Sequence, residues 1–304
     1  MKKMIQWVMA ATLVCGTSVF TACSDKEEEP ATTVQTDLNL KEKLIGKWIN
    51  VADNGEPTLT DQKRVLTFLS PTKAQFSFAA NSVSLWSSHM DCNVAIQDNQ
   101  VIVTATADGK DSETKYTVRS IDETTMSTDY AHSYSMGGRI LFSGEGTLQL
   151  KKITVDYSQD IIGVWQGSIT SSDGSAHDDG ETHRWEYKAN GDYVYYIKNG
   201  DQWVASNSEF NNYFVDGNLL CTRWKNVGEE ECREWWEIES IKNGVMKWTG
   251  LRKNENGSTY TATFQMTKVT ELEKPRAFDP RGQATLTLAG KICLTLCGKI
   301  RITP

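Results

Sequence analysis

The sequence predicts an all-β protein built as two tandem copies of one antiparallel meander. Three observations predict it. Apolar and polar residues alternate with a period of two, tight-turn dipeptides fall between the alternating runs, and the first half of the chain repeats in the second. The chain has 304 residues and a net charge of −7.

The amino terminus is read first. Lys2 and Lys3 form a basic patch ahead of an uncharged, mostly apolar run of 17 residues from Met4 to Phe20. Phe20-Thr21-Ala22-Cys23 follows, so small residues stand just before the cysteine. The apolar run contains Gln6, Gly16, Thr17 and Ser18 and is at the lower limit for crossing a bilayer. Residues 1–22 are therefore read as a signal peptide. The Cys23 segment resembles the bacterial lipobox, with Phe20 where an aliphatic residue is usual. The resemblance implies lipidation (diacylglyceryl, palmitate) of Cys23 and anchorage to a membrane through that lipid. Ser24-Asp25-Lys26-Glu27-Glu28-Glu29 resembles the acidic export tract of Bacteroidetes-type lipoproteins, which implies the outer face of the outer membrane. Residues 23–37 contain no aromatic and read as a disordered tether.

Removal of residues 1–22 takes away two lysines and moves the net charge from −7 to −9. An acidic chain argues against nucleic acid, whose phosphates require clustered Lys and Arg. Cys92, Cys221, Cys232, Cys293 and Cys297 remain, an odd number without framework spacing. Cys221 and Cys232 form the one candidate disulfide pair, lying on strands that flank one hairpin.

The repeat sets the domains. Leu44-Ile45-Gly46-Lys47-Trp48 answers to Ile161-Ile162-Gly163-Val164-Trp165 at an offset of 117. Tyr116-Thr117-Val118 answers to Trp236-Glu237-Ile238 at 120, and Leu148-Gln149-Leu150 to Phe264-Gln265-Met266 at 116. The expected domains are 38–155 and 156–272, with a short helix over Leu38 to Leu44. Within the copies, Val65, Thr67 and Leu69 alternate, as do Val101, Val103 and Ala105. In the second copy Trp185 and Tyr187, Tyr193 and Tyr195, Leu220 with Thr222 and Trp224, and Trp236 with Ile238 share faces. Asp108-Gly109, Asn190-Gly191, Asn199-Gly200, Asp216-Gly217, Asn243-Gly244 and Asn256-Gly257 supply hairpin turns. Such a meander closes as a barrel or folds as a sandwich. The tail, 273–304, belongs to neither copy. From Ala284 to Ile302 it alternates as a β-prone segment with one apolar face.

Gly46-Lys47-Trp48 and Gly163-Val164-Trp165 resemble the opening motif of the lipocalins and their bacterial lipocalin-like relatives, and Thr128-Asp129-Tyr130 resembles the second lipocalin motif. The second copy has Trp248-Thr249-Gly250 near that place instead. The resemblance implies two up-and-down β-barrels, with Gly46, Trp48, Gly163 and Trp165 at the barrel floors.

Candidate chemistry lies in the second copy. Small barrels hold one small ligand at most. An aromatic-lined cavity there, formed by Trp185, Tyr187, Tyr195, Trp224, Trp236 and Trp248 with Arg223 or Arg252 as polar anchor, suits a small hydrophobic or amphiphilic ligand. The same rings suit plain core packing. Trp235 and Trp236 must face opposite sides of their strand, so one of them is an exposed platform or meets the other domain. Trp86 is a lesser candidate of this kind. His177, Asp178, Asp179, Glu181 and His183 crowd a polar loop, read as solvated. No catalytic motif, metal-ligand spacing or cofactor signature is found, and no enzyme is expected. The expected function is a surface lipoprotein binding a small amphiphile. The alternative is a structural or interaction module that docks an outer-membrane protein or glycan.

Overall fold

The computed structural model describes residues 39–78, 90–107, 109–174 and 181–269. The signal peptide, Cys23, the tether, the 273–304 tail, Trp86 and His177 to Asp179 lie outside the described residues.

The first copy opens with a one-turn helix, α1 (Leu40–Lys43), inside the segment expected to be helical. Eight antiparallel strands then follow in meander order: β1 (Gly46–Asp53), β3 (Arg64–Ser70), β4 (Lys73–Phe78), β5 (Met90–Gln97), β6 (Gln100–Ala107), β7 (Lys110–Ile121), β8 (Thr125–Met136) and β9 (Arg139–Ile153). The two-residue β2 (Glu56–Pro57) folds back on β1. Pairing of β1 with β9 closes the sheet into a barrel. Its inner face buries Leu66, Phe68, Val101, Val103, Val118, Met126, Leu148 and Leu150 around Trp48. On β3 the inner residues are the even ones. Val65 is buried on the outer face and Leu69 is 55% exposed, so the expected Val65–Leu69 alternation marks the side away from the barrel core.

The second copy runs β10 (Gly163–Ser171), β11 (His183–Tyr187), β12 (Tyr193–Asn199), β13 (Gln202–Ala205), β14 (Ser208–Asp216), β15 (Leu219–Asn226), β16 (Cys232–Lys242), β17 (Val245–Lys253) and β18 (Thr259–Val269). β10 pairs with β18, but β13 and β14 do not pair, so the second sheet curls without full closure. Bonds across the seam gather beside β12's first residue. Asp192 bridges Asn212, Tyr213 N–H donates to the Gly191 carbonyl at 2.8 Å, and Tyr213 Oη donates to the Lys188 carbonyl at 2.8 Å.

Details of the two copies match beyond topology. Trp48 and Trp165 are 0% and 1% exposed, and each indole N–H donates to a carbonyl four residues back, Leu44 at 2.8 Å and Ile161 at 2.6 Å. A lysine from the last strand covers each ring, Lys152 at 5.1 Å and Lys268 at 5.2 Å. Gly163 has φ +130°, and a Cβ there would come within 2.8 Å of Lys268 Cε. Burying each indole contributes about 4–6 kcal/mol. A bulge interrupts the pairing at Val118/Ser120 and again at Ile238/Ser240.

Both copies also bury part of their outer faces. Ile49 and Val65 form one cluster with Leu219, Cys221 and Trp235, flanked by Val51, Ile153 and Phe214. Trp235, the outward member of the tandem tryptophans, therefore meets the other barrel. Lys47 pairs with Asp216, and Lys63 with Glu237 at 3.2 Å. Leu251 N–H donates to Thr60 Oγ1 at 2.7 Å. Gly217 has φ +65°, and a Cβ there would lie 2.6 Å from Ile153 Cγ2, so glycine lets the connection pack closely.

The Cys221–Cys232 disulfide is not formed. Cys221 pairs with Trp235 and Cys232 with Trp224, which places one thiol on the outer face and the other on the inner face.

Candidate functional site

The inner face of the second sheet is built by alternation. Trp165 on β10 precedes His183, Trp185 and Tyr187 on β11, and Tyr193 and Tyr195 on β12. Trp224, Trp236, Trp248 and Phe264 come from β15 to β18. Six of the seven expected ligand-binding residues thus join one cluster: Trp185, Tyr187, Tyr195, Trp224, Trp236 and Trp248. Arg223 does not join them. It stands on the outer face, where its Nε donates to Asn212 Oδ1 at 3.2 Å and its guanidinium lies 5.2 Å from the Phe210 ring.

The rings pack in contact. Trp236 stacks on Trp248 at 5.8 Å and 22°. Trp185 meets Tyr195 at 5.3 Å and Trp248 at 5.7 Å. Phe264 stands edge-on to His183, Trp185, Trp236 and Trp248 at 5.2–5.6 Å. These are favoured quadrupole geometries. The floor half is sealed: Trp165, Tyr187, Trp236 and Trp248 are at most 2% exposed. Towards the seam where β13 and β14 are not paired the rings are half-buried, with Tyr195 one strand from β13 and Trp224 one strand from β14.

Polar atoms punctuate this interior. His183 is 4% exposed, and its Nδ1 lies 3.0 Å from Tyr195 Oη. It is a strand residue of the barrel interior, not part of the solvated loop expected from the sequence, whereas Glu181 is exposed. The Tyr187 hydroxyl and the Trp248 indole N–H are buried and make no hydrogen bond among the described residues. Their rings lie 6.2 Å apart. Burial, with Tyr193, Glu234 and Tyr213 nearby, pushes the Tyr187 phenol well above its usual range. At the end away from Trp165, Arg252 faces inward. Its Nη2 donates to the Trp235 carbonyl at 2.6 Å, and the guanidinium lies over the Trp236 ring at 4.5 Å. A Cβ on Gly250 would sit 2.7 Å from Arg252 Cζ, so the glycine makes room for that arginine. Arg252, named in the sequence beside Arg223, is the one that faces the interior.

Phe264 and His183 were missed as site residues. Phe264 carries a readable signal, since it occupies an inward position of the repeated closing strand. His183 carries none, because its place depends on where β11 begins.

The first barrel carries a polar cluster of a different kind. Arg64 on β3 acts electrostatically on Tyr116, Tyr130 and His132 on β7 and β8. His132 Nδ1 lies 2.9 Å from Thr114 Oγ1. A shallow depression of about 350 Å³ lies on β6–β8, lined by Thr104, Thr106, Asp111, Ser112 and Ser133 among others. Among the described residues no group of three or more metal-ligating side chains is found.

No family model matches the chain. No curated protein matches it either. Among solved structures, a protein of unknown function from the DUF3598 family of Nostoc punctiforme aligns over 76% of this chain and 97% of its own, at 8% identity and a TM-score of 0.23. A double mutant of transferrin-binding protein B from Haemophilus parasuis, described as a vaccine antigen, aligns over 74% of this chain and 45% of its own, at 13% identity and a TM-score of 0.21. Likenesses at that level carry no argument about what this chain does.

Proposed function

We propose that this chain is a lipid-anchored envelope protein whose second barrel binds a small amphiphile bearing an apolar or ring-shaped body. The single observation that carries the reading is the missing strand pairing between β13 and β14, flanked by half-buried Tyr195 and Trp224 over an aromatic interior. The ring body would stack at Tyr195, Trp185 and Trp224, and a polar group would reach Arg252 or His183. No nucleophile-and-base arrangement accompanies these groups in the reading, which is of a binder and not an enzyme. The anchor rests on Phe20-Thr21-Ala22-Cys23, and outer-membrane surface display on the acidic residues behind it.

Titration with bile acids, fatty acids and aromatic carboxylates, followed by tryptophan emission, tests the binding. A saturable change with one class, abolished in Trp224→Ala and weakened in Tyr195→Ala, supports it. A flat response across the panel overturns it. Metabolic labelling with palmitate, lost in Cys23→Ser, tests the anchor separately.

A second reading is favoured by the ring-on-ring packing of the floor half. In it the barrel is a filled scaffold, and partners, such as an outer-membrane protein, are engaged by its exterior.

A further inference from the structure

The polar groups inside the second barrel have counterparts in the first, and strand register fixes which positions correspond. Trp48 pairs with Leu66 on β3 as Trp165 pairs with Trp185 on β11. Arg64, the next inward residue of β3, therefore stands where His183 stands in the second copy. Thr128 pairs with Leu148 on β9 as Trp248 pairs with Phe264 on β18. His132, two inward positions beyond Thr128, therefore stands where Arg252 stands. At these two places each barrel carries one arginine and one histidine, with the two exchanged. In both, the imidazole lies against a hydroxyl: His132 Nδ1 is 2.9 Å from Thr114 Oγ1, and His183 Nδ1 is 3.0 Å from Tyr195 Oη.

The copies differ in what answers the arginine and in what fills its surroundings. Arg252 donates to the Trp235 carbonyl. The half-buried Arg64 guanidinium makes no hydrogen bond or ion pair among the described residues, although its charge acts on Tyr116, Tyr130 and His132. Asp53, opposite Leu148 in register, reaches the same interior, where the Tyr130 hydroxyl donates to it. A guanidinium partly withdrawn from water and lacking an acceptor is a ready partner for an anion. There is also room. Opposite His132, β9 offers Gly144, where the second copy has the buried Tyr260 opposite Arg252. A Cβ on Gly144 would meet nothing nearer than the Phe142 ring at 3.4 Å. Along β8 the inward residues pass from buried Met126 and Thr128 to half-buried Tyr130 and His132. Along β7 they pass from buried Val118 to half-buried Tyr116 and Thr114. Inward side chains of a closed barrel keep exposure only where its interior is unfilled. Phe76 and Met90, also half-buried, add apolar surface to the same face.

We propose that the first barrel is a ligand site of its own, taking a small organic anion whose carboxylate lies on Arg64 and whose apolar body lies against Tyr116, Tyr130 and Phe76. The site goes beyond the reading of the second barrel and stands or falls without it.

The test uses the chain begun at Ser24, which keeps both barrels, in an Arg252→Gln background that removes the second barrel's inward arginine. The probe is 4-fluorobenzoate, followed by fluorine NMR and calorimetry, with uncharged 4-fluorobenzamide as the matched control. The expected result is saturable binding of the benzoate, roughly tenfold or more tighter than the amide, and a loss of the same size in Arg64→Gln. Arg64→Lys, which keeps the charge but not the planar fork, should lose less. Melting temperatures show whether each variant is folded, and Arg64→Lys with the amide comparison decides the matter if Arg64→Gln is not. Equal binding with and without Arg64→Gln overturns the proposal, as does equal affinity for benzoate and benzamide. Complete loss of binding in Arg252→Gln alone also overturns it, while leaving the second barrel as a binder. Absence of benzoate binding in the parent chain overturns it too, and the wider ligand panel then decides the second barrel separately.

Discussion

Lys47 of the first barrel closes on Asp216 of the second, and the Asp216 side chain is 1% exposed while Lys47 keeps 31%. The pair crosses the junction between the two copies, beside the cluster of Ile49, Val65, Leu219 and Trp235. Removing one partner of a sealed ion pair leaves the other charge without compensation, a larger loss than the pair's net contribution. Lys47→Ala is expected to destabilise the chain by about 2–3 kcal/mol, less than a fully buried pair because Lys47 is partly hydrated. Lys47→Ala with Asp216→Ala should recover part of that loss. Urea unfolding of both single variants and the double gives the coupling.

Trp235 is the large side chain at the same junction. Trp235→Ala should cost about 3–5 kcal/mol, as for other large-to-small core changes. The loss falls on the junction and not on either barrel's own core. Calorimetry should therefore resolve two transitions in the variant and a single one in the parent chain. A single transition lowered as a whole would mean that the barrels fold only together.

Cys92 and Cys221 should be inert while the chain is folded. Burial, with the charge of Asp91, pushes the Cys92 thiol up to about 11. Burial and Asp216 raise the Cys221 thiol well above its ordinary value. The thiolate is the reactive species, so iodoacetamide at about pH 8 should label neither residue in the native chain and both in guanidinium. Mass spectrometry of the peptides reads the result.

His132 gives the pH dependence a sign. Burial first, and then the charge of Arg64, lower its pKa below 6.5, opposed by the Glu113 backbone. The Thr114 hydroxyl and the Phe142 ring are its other neighbours. Since the folded value is depressed, protonation favours the unfolded chain. The stabilising contribution is complete above about 6.5 and is lost as pH falls through the folded value. His132→Gln should flatten the fall in stability between about pH 7 and pH 5, measured by thermal melts across that range.

The duplication was legible because its signals are local. Gly-x-Trp openings, inward pairs such as Leu148 and Leu150 or Phe264 and Met266, and Asn243-Gly244 and Asp216-Gly217 turns all depend on short stretches of chain. The inner face of the second barrel was read correctly for the same reason, since strand alternation alone assigns Trp185, Tyr187, Trp224, Trp236 and Trp248 to one side. Distant packing was less legible. Val65 looks like a barrel-core residue in sequence yet is buried because the other copy covers it, and Trp235, left open between an exposed platform and a contact with the other domain, makes that contact. Arg223 failed for a local reason: it neighbours Trp224 on β15, so strand alternation by itself turns it away from that ring. The missing β13–β14 pairing rests on backbone spacing that no residue type announces.

The pairing of β1 with β9 and of β10 with β18 has a mechanical consequence. In each barrel the first strand's start lies beside the last strand's end, as Lys47 opposite Ile153 and Val164 opposite Val269 show. Tension applied through the two ends of a barrel therefore loads its closing ladder one hydrogen bond at a time, as a zipper opens, instead of shearing all of them together. Each barrel should yield to low pulling force whatever its equilibrium stability, with the lysine-capped tryptophan at its floor as the first obstacle to tearing.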